Sequence, residues 1–316
     1  MEKKSALRER QRTLTGFWKG VTIVFSMIGL LFAIYQIFSM RIFGILIMEN
    51  SYLYLLMMIY LSMTFLFFPL KFGEPRKVIF AIDVFLFAVT MGITLYFAYL
   101  GYDIVYRGWG YYAPAHITAL SVVLWVLVLE AVRRAGGMTL FIVIFVVSLY
   151  PLYAPYMPGF LEGYGRSFTT TASFHAMSTE SILGIPLKVF GLMLVGFLIF
   201  GIALQASGGG TFFLNLSYCI LGTTRGGTAK VAVLSSALFG SLSGSVISNV
   251  VTTGSITIPA IKNSGYPPHY AGAIEATAST GGVLMPPIMG ATAFVMAAFL
   301  EMGYYKIALA AAIPSI

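Results

Sequence analysis

Apolar and polar residues alternate along this chain in long blocks. Apolar runs at residues 21–40, 52–70, 78–100 and 115–132 each approach the ~20 residues an α-helix needs to cross a bilayer, and short loops join them. Residues 138–155 and 185–206 read as two more spans. Between them lies a polar stretch, 156–179, holding Pro158, Glu162, Arg166 and His175, with Glu180 at its end. This stretch predicts a solvated outer loop or a docking surface for a soluble partner. After SGGG at 207–210, a flexible stop, residues 211–221 are short and amphipathic, as suits a helix along a membrane interface. The pattern predicts an all-α polytopic membrane protein.

Beyond residue 228 the blocks shorten. Residues 230–242 and 246–261 are apolar, but neither is long enough to span. Joined by Gly and Ser, with Lys230 before the first and Lys262 after the second, they predict a re-entrant helical hairpin that enters and leaves on one side. At ~1.5 Å per residue each arm reaches roughly 20 Å, which sets the tip, 243–245, near the bilayer midplane. A second interruption follows. Residues 270–282 read as a short helix ending in STGG, where Gly281 and Gly282 release the ladder, and Pro286 and Pro287 restart a helix that runs to Ala298.

Broken backbone at membrane depth has to be buried in protein or line a watered cavity, so both breaks are candidate sites. The first arm ends with carbonyls directed at the tip, which suits a cation; the second begins with free N–H groups, which suit a carboxylate. Candidate cation ligands are Ser241, Ser243, Gly244, Ser245 and Asn249, together with Thr280, Gly281 and Gly282. Candidate substrate contacts are Ser245, Asn249 and Thr253. No Asp or Glu lies in the hairpin, so the expected cation is monovalent, with sodium the natural choice over calcium. Gly240 and Gly244 equally fit the small-xxx-small spacing of a tight helix contact, and that alternative stays open here.

The stretch TRGGTAKVAVLSSALFGSLSGSVISNVVTTGSITIPAIKNSGY, continued by EATASTGGVLMPPIMGATAF, resembles the large membrane subunit of tripartite ATP-independent periplasmic (TRAP) transporters, specifically the fused permeases of the TAXI type. The resemblance covers roughly residues 184–316. Ser248 stands where that family has a small apolar residue, and Val283 where it has Gln. The resemblance implies an elevator-type, sodium-driven importer of an organic acid, delivered by a TAXI-type periplasmic substrate-binding protein. It also implies that residues 21–135 are a fused four-helix small-subunit-like unit, ending at the AVRRAGG tract of 131–137. On this reading 1–20 is a basic tail and 136–227 holds scaffold spans, the outer loop and the interfacial segment. The hairpin occupies 228–265, the discontinuous helix 267–300, and 301–316 begins a further span. The resemblance further implies that the inverted second half of the large subunit is missing.

Composition narrows the function classes. Hydrophobic residues make up 59% and charged residues 9%, with mean hydropathy +0.89, where a soluble domain is nearer a quarter charged. The net charge of +8 comes from scattered Lys and Arg without an aromatic-laced basic stripe, which argues against nucleic acid. Placing the N-terminus in the cytoplasm of a bacterial or archaeal cell leaves only Arg41, Arg107, Arg166, Lys188 and Lys306 outside, of 19 basic residues, in keeping with the positive-inside rule. Tyr99, Tyr102, Tyr106, Trp109, Tyr111 and Tyr112 then form an interfacial belt.

Enzymatic signatures are missing. His116, His175 and His269 are far apart, Cys219 is the single cysteine, and no HExxH or phosphate loop occurs. The run GSLSG at 240–244 has Leu242, not serine, at its centre. A channel or structural subunit is the alternative class, with an intramembrane serine protease as a remote third. Of the acids, Asp83 and Glu130 are expected to pair with Arg76, Lys77, Arg133 or Arg134. Glu275, about one and a half turns past His269, is expected to pair or cap near the interface, with a proton relay as the alternative.

Overall fold

In a computed structural model, residues 12–40, 47–70 and 77–315 are described, and among them every regular element is helical. The N-terminal helices are α1 (Phe17–Ile37), α2 (Glu49–Phe67), α3 (Lys77–Tyr99), α4 (Gly101–Tyr106) and α5 (Ala115–Gly136). They are followed by α6 (Met138–Ser148), α7 (Tyr150–Tyr153), α8 (Phe168–Met177) and α9 (Ile185–Val189). A π-helical turn at Phe190–Leu194 leads into α10 (Val195–Ala206) and α11 (Gly209–Leu221). The chain then continues through α12 (Gly227–Ser243), α13 (Val246–Thr252), α14 (Gly254–Asn263), α15 (Pro268–Leu284), α16 (Ala291–Phe299) and α17 (Tyr304–Ser315). It divides into two compact units between Lys188 and Val189.

Five stretches are long and apolar enough to cross a membrane: α1, α2, α3, α5 and Ile185–Ala206. A sixth is the pair Met138–Ser148 and Tyr150–Tyr156, bent by 42°. The predicted straight span over 138–155 is therefore broken. Pro151, in the first turn of α7, lacks the N–H that would continue the ladder from α6.

In the first unit α2 is the inner helix. Tyr52, Leu53, Tyr54, Ile59, Phe65 and Leu66 are buried around its circumference, whereas α6 has no buried residue. The polar stretch between the fifth and sixth predicted spans is not all loop, which corrects the expectation above. Its second half is α8, N-capped by Ser167, whose Oγ accepts from the Thr170 N–H at 3.3 Å. Ala172 packs on Trp125 and Leu129 of α5, and the Tyr54 hydroxyl donates to the Ala176 carbonyl at 2.9 Å. Short Ser, Thr and Ala side chains give α8 a narrow surface that can be buried, a packing signal weaker than an apolar stripe. Arg166, just ahead of α8, lies over the rings of Tyr111 (5.2 Å) and Phe174 (4.3 Å). Of the aromatic belt only Trp109 is buried; the five tyrosines are exposed.

The expected ion pairs form, with one addition. Asp83 binds Arg134 at 2.7 Å, and Glu130 binds both Arg133 (2.7 Å) and Arg134 (2.8 Å). Asp83 also takes Arg12 at 2.9 Å, whose backbone N–H donates to the Phe67 carbonyl. Arg76 lies outside the described residues, as do Arg41, Lys71 and most of the basic tail.

The second unit is organised on the contact between α12 and α15. α11 packs along α12, burying Leu214 and Ser217. Phe197, Phe294 and Tyr304 stack in series, with centroids 4.8 and 4.5 Å apart.

Candidate functional site

The hairpin turns where its sequence predicts. α12 stops at Ser243 because Gly244 takes the left-handed conformation (φ 62°) and donates its N–H to the Gly240 carbonyl at 2.9 Å. A Cβ there would also meet the Met289 carbonyl oxygen at 2.7 Å, so glycine is required twice over. Ser245 N-caps α13, its Oγ accepting from the Ser248 N–H at 3.3 Å. The second arm is two helices rather than one: α13 gives way to α14 at Thr253, and Pro259 further weakens the ladder of α14.

The second break is displaced from its predicted position. Thr280, Gly281 and Gly282 are helical, and α15 runs unbroken to Leu284. The interruption is residues 285–290, with Pro286 and Pro287 inside the turn, and α16 begins only at Ala291. Gly282 does not release the ladder because its neighbours hold it helical; it is glycine for packing. A Cβ on Gly282 would meet the Ser236 carbonyl oxygen at 2.6 Å, and one on Gly240 would meet the Gly282 carbonyl carbon at 3.0 Å. Of the predicted Gly240/Gly244 pair, Gly240 does make a close helix contact, against Gly282 of α15, whereas Gly244 meets the Met289 carbonyl of the interruption instead. Gly281 faces open space beside a groove of about 540 Å³ that Val233, Ala237 and Ile274 also line. The exposed Thr280 hydroxyl bonds back to the Ala276 carbonyl.

Residues 285–290, not the STGG run, meet the hairpin tip. The N–H groups of Ile288 and Met289 both donate to the Ser241 carbonyl at 3.2 Å. The Ser241 hydroxyl bonds the Leu238 carbonyl at 2.9 Å. The Ser243 hydroxyl, one residue from the turn, is buried and has no hydrogen-bond partner among the described residues. The Thr90 and Thr171 hydroxyls are also buried without a partner among the described residues; Ser243 differs in lying beside a backbone break.

Asn249 and Thr253 are turned into the packed interior. Asn249 Nδ2 donates to the Ser236 carbonyl at 2.7 Å, fastening α13 to α12, and its Oδ1 lies 3.0 Å from the Thr253 hydroxyl.

The residue whose role the sequence hid is Glu275. It is fully buried in the middle of α15. Its Oε1 lies 2.6 Å from the Ser236 hydroxyl of α12, 2.7 Å from that of Thr253 and 3.2 Å from that of Ser279. Its Oε2 lies 2.5 Å from the Thr257 hydroxyl of α14. No Lys, Arg or His among the described residues pairs with it, so the expected interfacial pairing does not form. Gly254 lets α14 approach, since a Cβ there would meet Glu275 Cγ at 3.0 Å. The available signal was a lone acid in an uncharged run, four residues before Ser279. Its partners on α12 and α14 are visible only after folding.

These elements define a multi-pass, all-helical membrane protein whose second unit is built from two interrupted helical elements packed on each other. Residues 123–316 match the family described as "Tripartite ATP-independent periplasmic transporter, DctM component". The chain belongs to that family, which is one of transporters and not of enzymes. It is 32% identical over 146 residues to the C4-dicarboxylate TRAP transporter large permease protein DctM of Pseudomonas aeruginosa, covering 44% of this chain and 34% of that one. It is 31% identical over 120 residues to the isethionate TRAP transporter permease protein DctMQ of Oleidesulfovibrio alaskensis, covering 38% and 18%. With the ectoine/5-hydroxyectoine TRAP transporter large permease protein UehC of Ruegeria pomeroyi it shares 28% over 155 residues, covering 48% and 36%. The chain thus spans less than two fifths of the length of these curated relatives. No solved structure matches it.

Proposed function

We propose that this protein is a fused TRAP permease of the TAXI type that imports an organic acid by sodium symport. A periplasmic binding protein delivers the substrate. Residues 21–135 serve as the small-subunit-like unit, and α12 to α16 move as part of an elevator block against a fixed scaffold. The N-terminus faces the cytoplasm of a bacterial or archaeal inner membrane, which leaves most Lys and Arg on that side. C4-dicarboxylates, isethionate and ectoine, named for the relatives, are all small polar organic solutes, and an organic acid fits among them.

The observation that carries the sodium reading is the unpaired, buried Ser243 hydroxyl at a backbone break. Gly244 approaches the Met289 carbonyl beside it, so the tip gathers neutral oxygens without a carboxylate. Such a donor set favours a weakly held monovalent cation over calcium. Each sodium ion entering down a ~100 mV potential supplies about 2.3 kcal/mol from the electrical term. The N-terminus of α13, capped by Ser245, offers the anion-favouring end of a short helix to a substrate carboxylate.

The test is uptake of candidate carboxylates into proteoliposomes, with and without a sodium gradient and the soluble partner. Uptake that needs both supports the reading; partner-independent ion flux without substrate overturns it in favour of a channel. Ser243→Ala is the informative variant because its hydroxyl holds nothing else. It should raise the sodium concentration for half-maximal uptake about tenfold, roughly one lost ligand contact. Asn249→Ala should also weaken sodium dependence, but it additionally cuts the tie to Ser236.

A further inference from the structure

Glu275 lies outside the oxygens at the hairpin tip, and the sodium reading does not use it. It is a buried carboxylate met by four hydroxyls, and no cation offsets its charge among the described residues. The charged groups on the helices packed around it are Lys230 on α12, Lys262 on α14, His269 on α15 and Lys306 on α17. All four are exposed, and none pairs with it. An ionised carboxylate in such a setting survives on hydrogen bonds alone.

The hydrogens around it can be arranged in two ways. With Glu275 ionised, Ser236, Thr253 and Ser279 donate to Oε1 and Thr257 donates to Oε2. With a proton on Oε2, that O–H donates to the Thr257 oxygen. The Thr257 hydroxyl then turns to the Thr253 carbonyl, which lies 3.0 Å away and is already in bonding geometry. Thr253 has a comparable second acceptor in the Asn249 carbonyl at 2.9 Å. Both protonation states are therefore satisfied by hydroxyl rotation, with no movement of the backbone.

We propose that Glu275 is a proton-binding site of this permease, separate from the hairpin tip, where one proton from water is taken up on Oε2 and the hairpin arm α14 reads its presence through Thr257. Ser236 on α12 and Thr257 on α14 both hold the same carboxylate, so its charge state sets how firmly the two arms are fastened to α15.

The test is difference infrared spectroscopy of the purified permease in nanodiscs, following the C=O stretch of protonated carboxyl groups against pH. The expected result is a band that appears on acidification and is lost in Glu275→Gln, a variant whose amide reproduces the protonated shape and keeps the fold. Thr257→Val removes the hydroxyl that meets Oε2 and should shift the frequency of that band, which the same substitution at a threonine remote from Glu275 should not. Absence of any Glu275-dependent band overturns the proposal, because the group then stays ionised. A Glu275-dependent band that is constant with pH overturns it equally, because the proton then never exchanges. Neither result bears on sodium-driven uptake, so the two readings fail separately.

Discussion

Asp83 on α3 and Glu275 on α15 are both fully buried acids in helices, one in each compact unit. Asp83 is held by two guanidinium groups, from Arg12 and Arg134, and Arg134 in turn reaches Glu130. Glu275 is held by hydroxyls alone. Two guanidinium groups grip the Asp83 carboxyl from different segments, and the cluster acts as a joint between α3, α5 and the N-terminal segment. The hydroxyls of Thr253 and Thr257 around Glu275 have other acceptors within reach, so they can turn without moving the backbone. Burial alone therefore does not indicate the role of an acid; the kind of donor around it does.

Arg134→Ala should have the largest effect. It leaves Asp83 buried with one partner and removes bonds to Glu130 and the Phe68 carbonyl. We expect a loss of about 3–5 kcal/mol, measured by denaturant or thermal unfolding. A loss under ~1 kcal/mol would show the joint to be dispensable. Glu275→Ala should cost about 2–3 kcal/mol, less than Arg134→Ala because Thr253, Thr257 and Ser236 can turn to other acceptors. Glu275→Gln should cost clearly less than Glu275→Ala, whereas Asp83→Asn should destabilise strongly by leaving Arg12 and Arg134 without their anion. Equal behaviour of the two amide variants would erase the distinction between the sites.

A smaller effect tests what keeps Glu275 in place. Gly282→Ala puts a methyl 2.6 Å from the Ser236 carbonyl, on the residue whose hydroxyl holds Glu275. Overpacking there should cost about 1–3 kcal/mol. Gly281→Ala, facing the open groove one residue earlier, should be neutral or stabilise by about 0.5–1 kcal/mol through helix propensity. Opposite signs for adjacent glycines in a thermal-shift assay would locate the close approach to a single residue.

The smallest effect lies in the first unit. His175 on α8 bonds the Ser148 carbonyl and the Ser181 hydroxyl, both at 2.7 Å. Burial holds its pKa below the ordinary 6.5, and Arg166 adds to that against the opposing Ser148 bond. The unfolded chain thus binds a proton more readily than the folded one. Stability should rise with pH between the lowered folded pKa and 6.5, and fall on acidification through that window. His175→Gln should flatten the pH dependence of unfolding there.

Block lengths and glycine positions made much of the fold legible. Long apolar runs map onto α1, α2, α3, α5 and Ile185–Ala206 because the length of a span is a local property of the chain. The turn at Gly244 and Ser245 was legible for the same reason, since a left-handed glycine followed by a serine cap is local chemistry. The site was read less well. STGG looks like a helix end because two glycines remove local preference for helix, yet the contact of Gly282 with Ser236 and Gly240 favours the continuous form. The actual break falls where Pro286 and Pro287 withhold two N–H groups in succession.

The helical class, the long apolar helices and the place where the hairpin turns follow from the sequence alone, because each rests on hydropathy, length and backbone preference within a few residues. Only the tertiary structure decided which oxygens meet. Ser236, Thr253, Thr257 and Ser279 are spread over more than 40 residues, and they converge on Glu275 because α12, α14 and α15 pack through glycines that admit close approach. A hydrogen bond acts over ~3 Å, and nothing in the linear order of residues sets distances on that scale between helices.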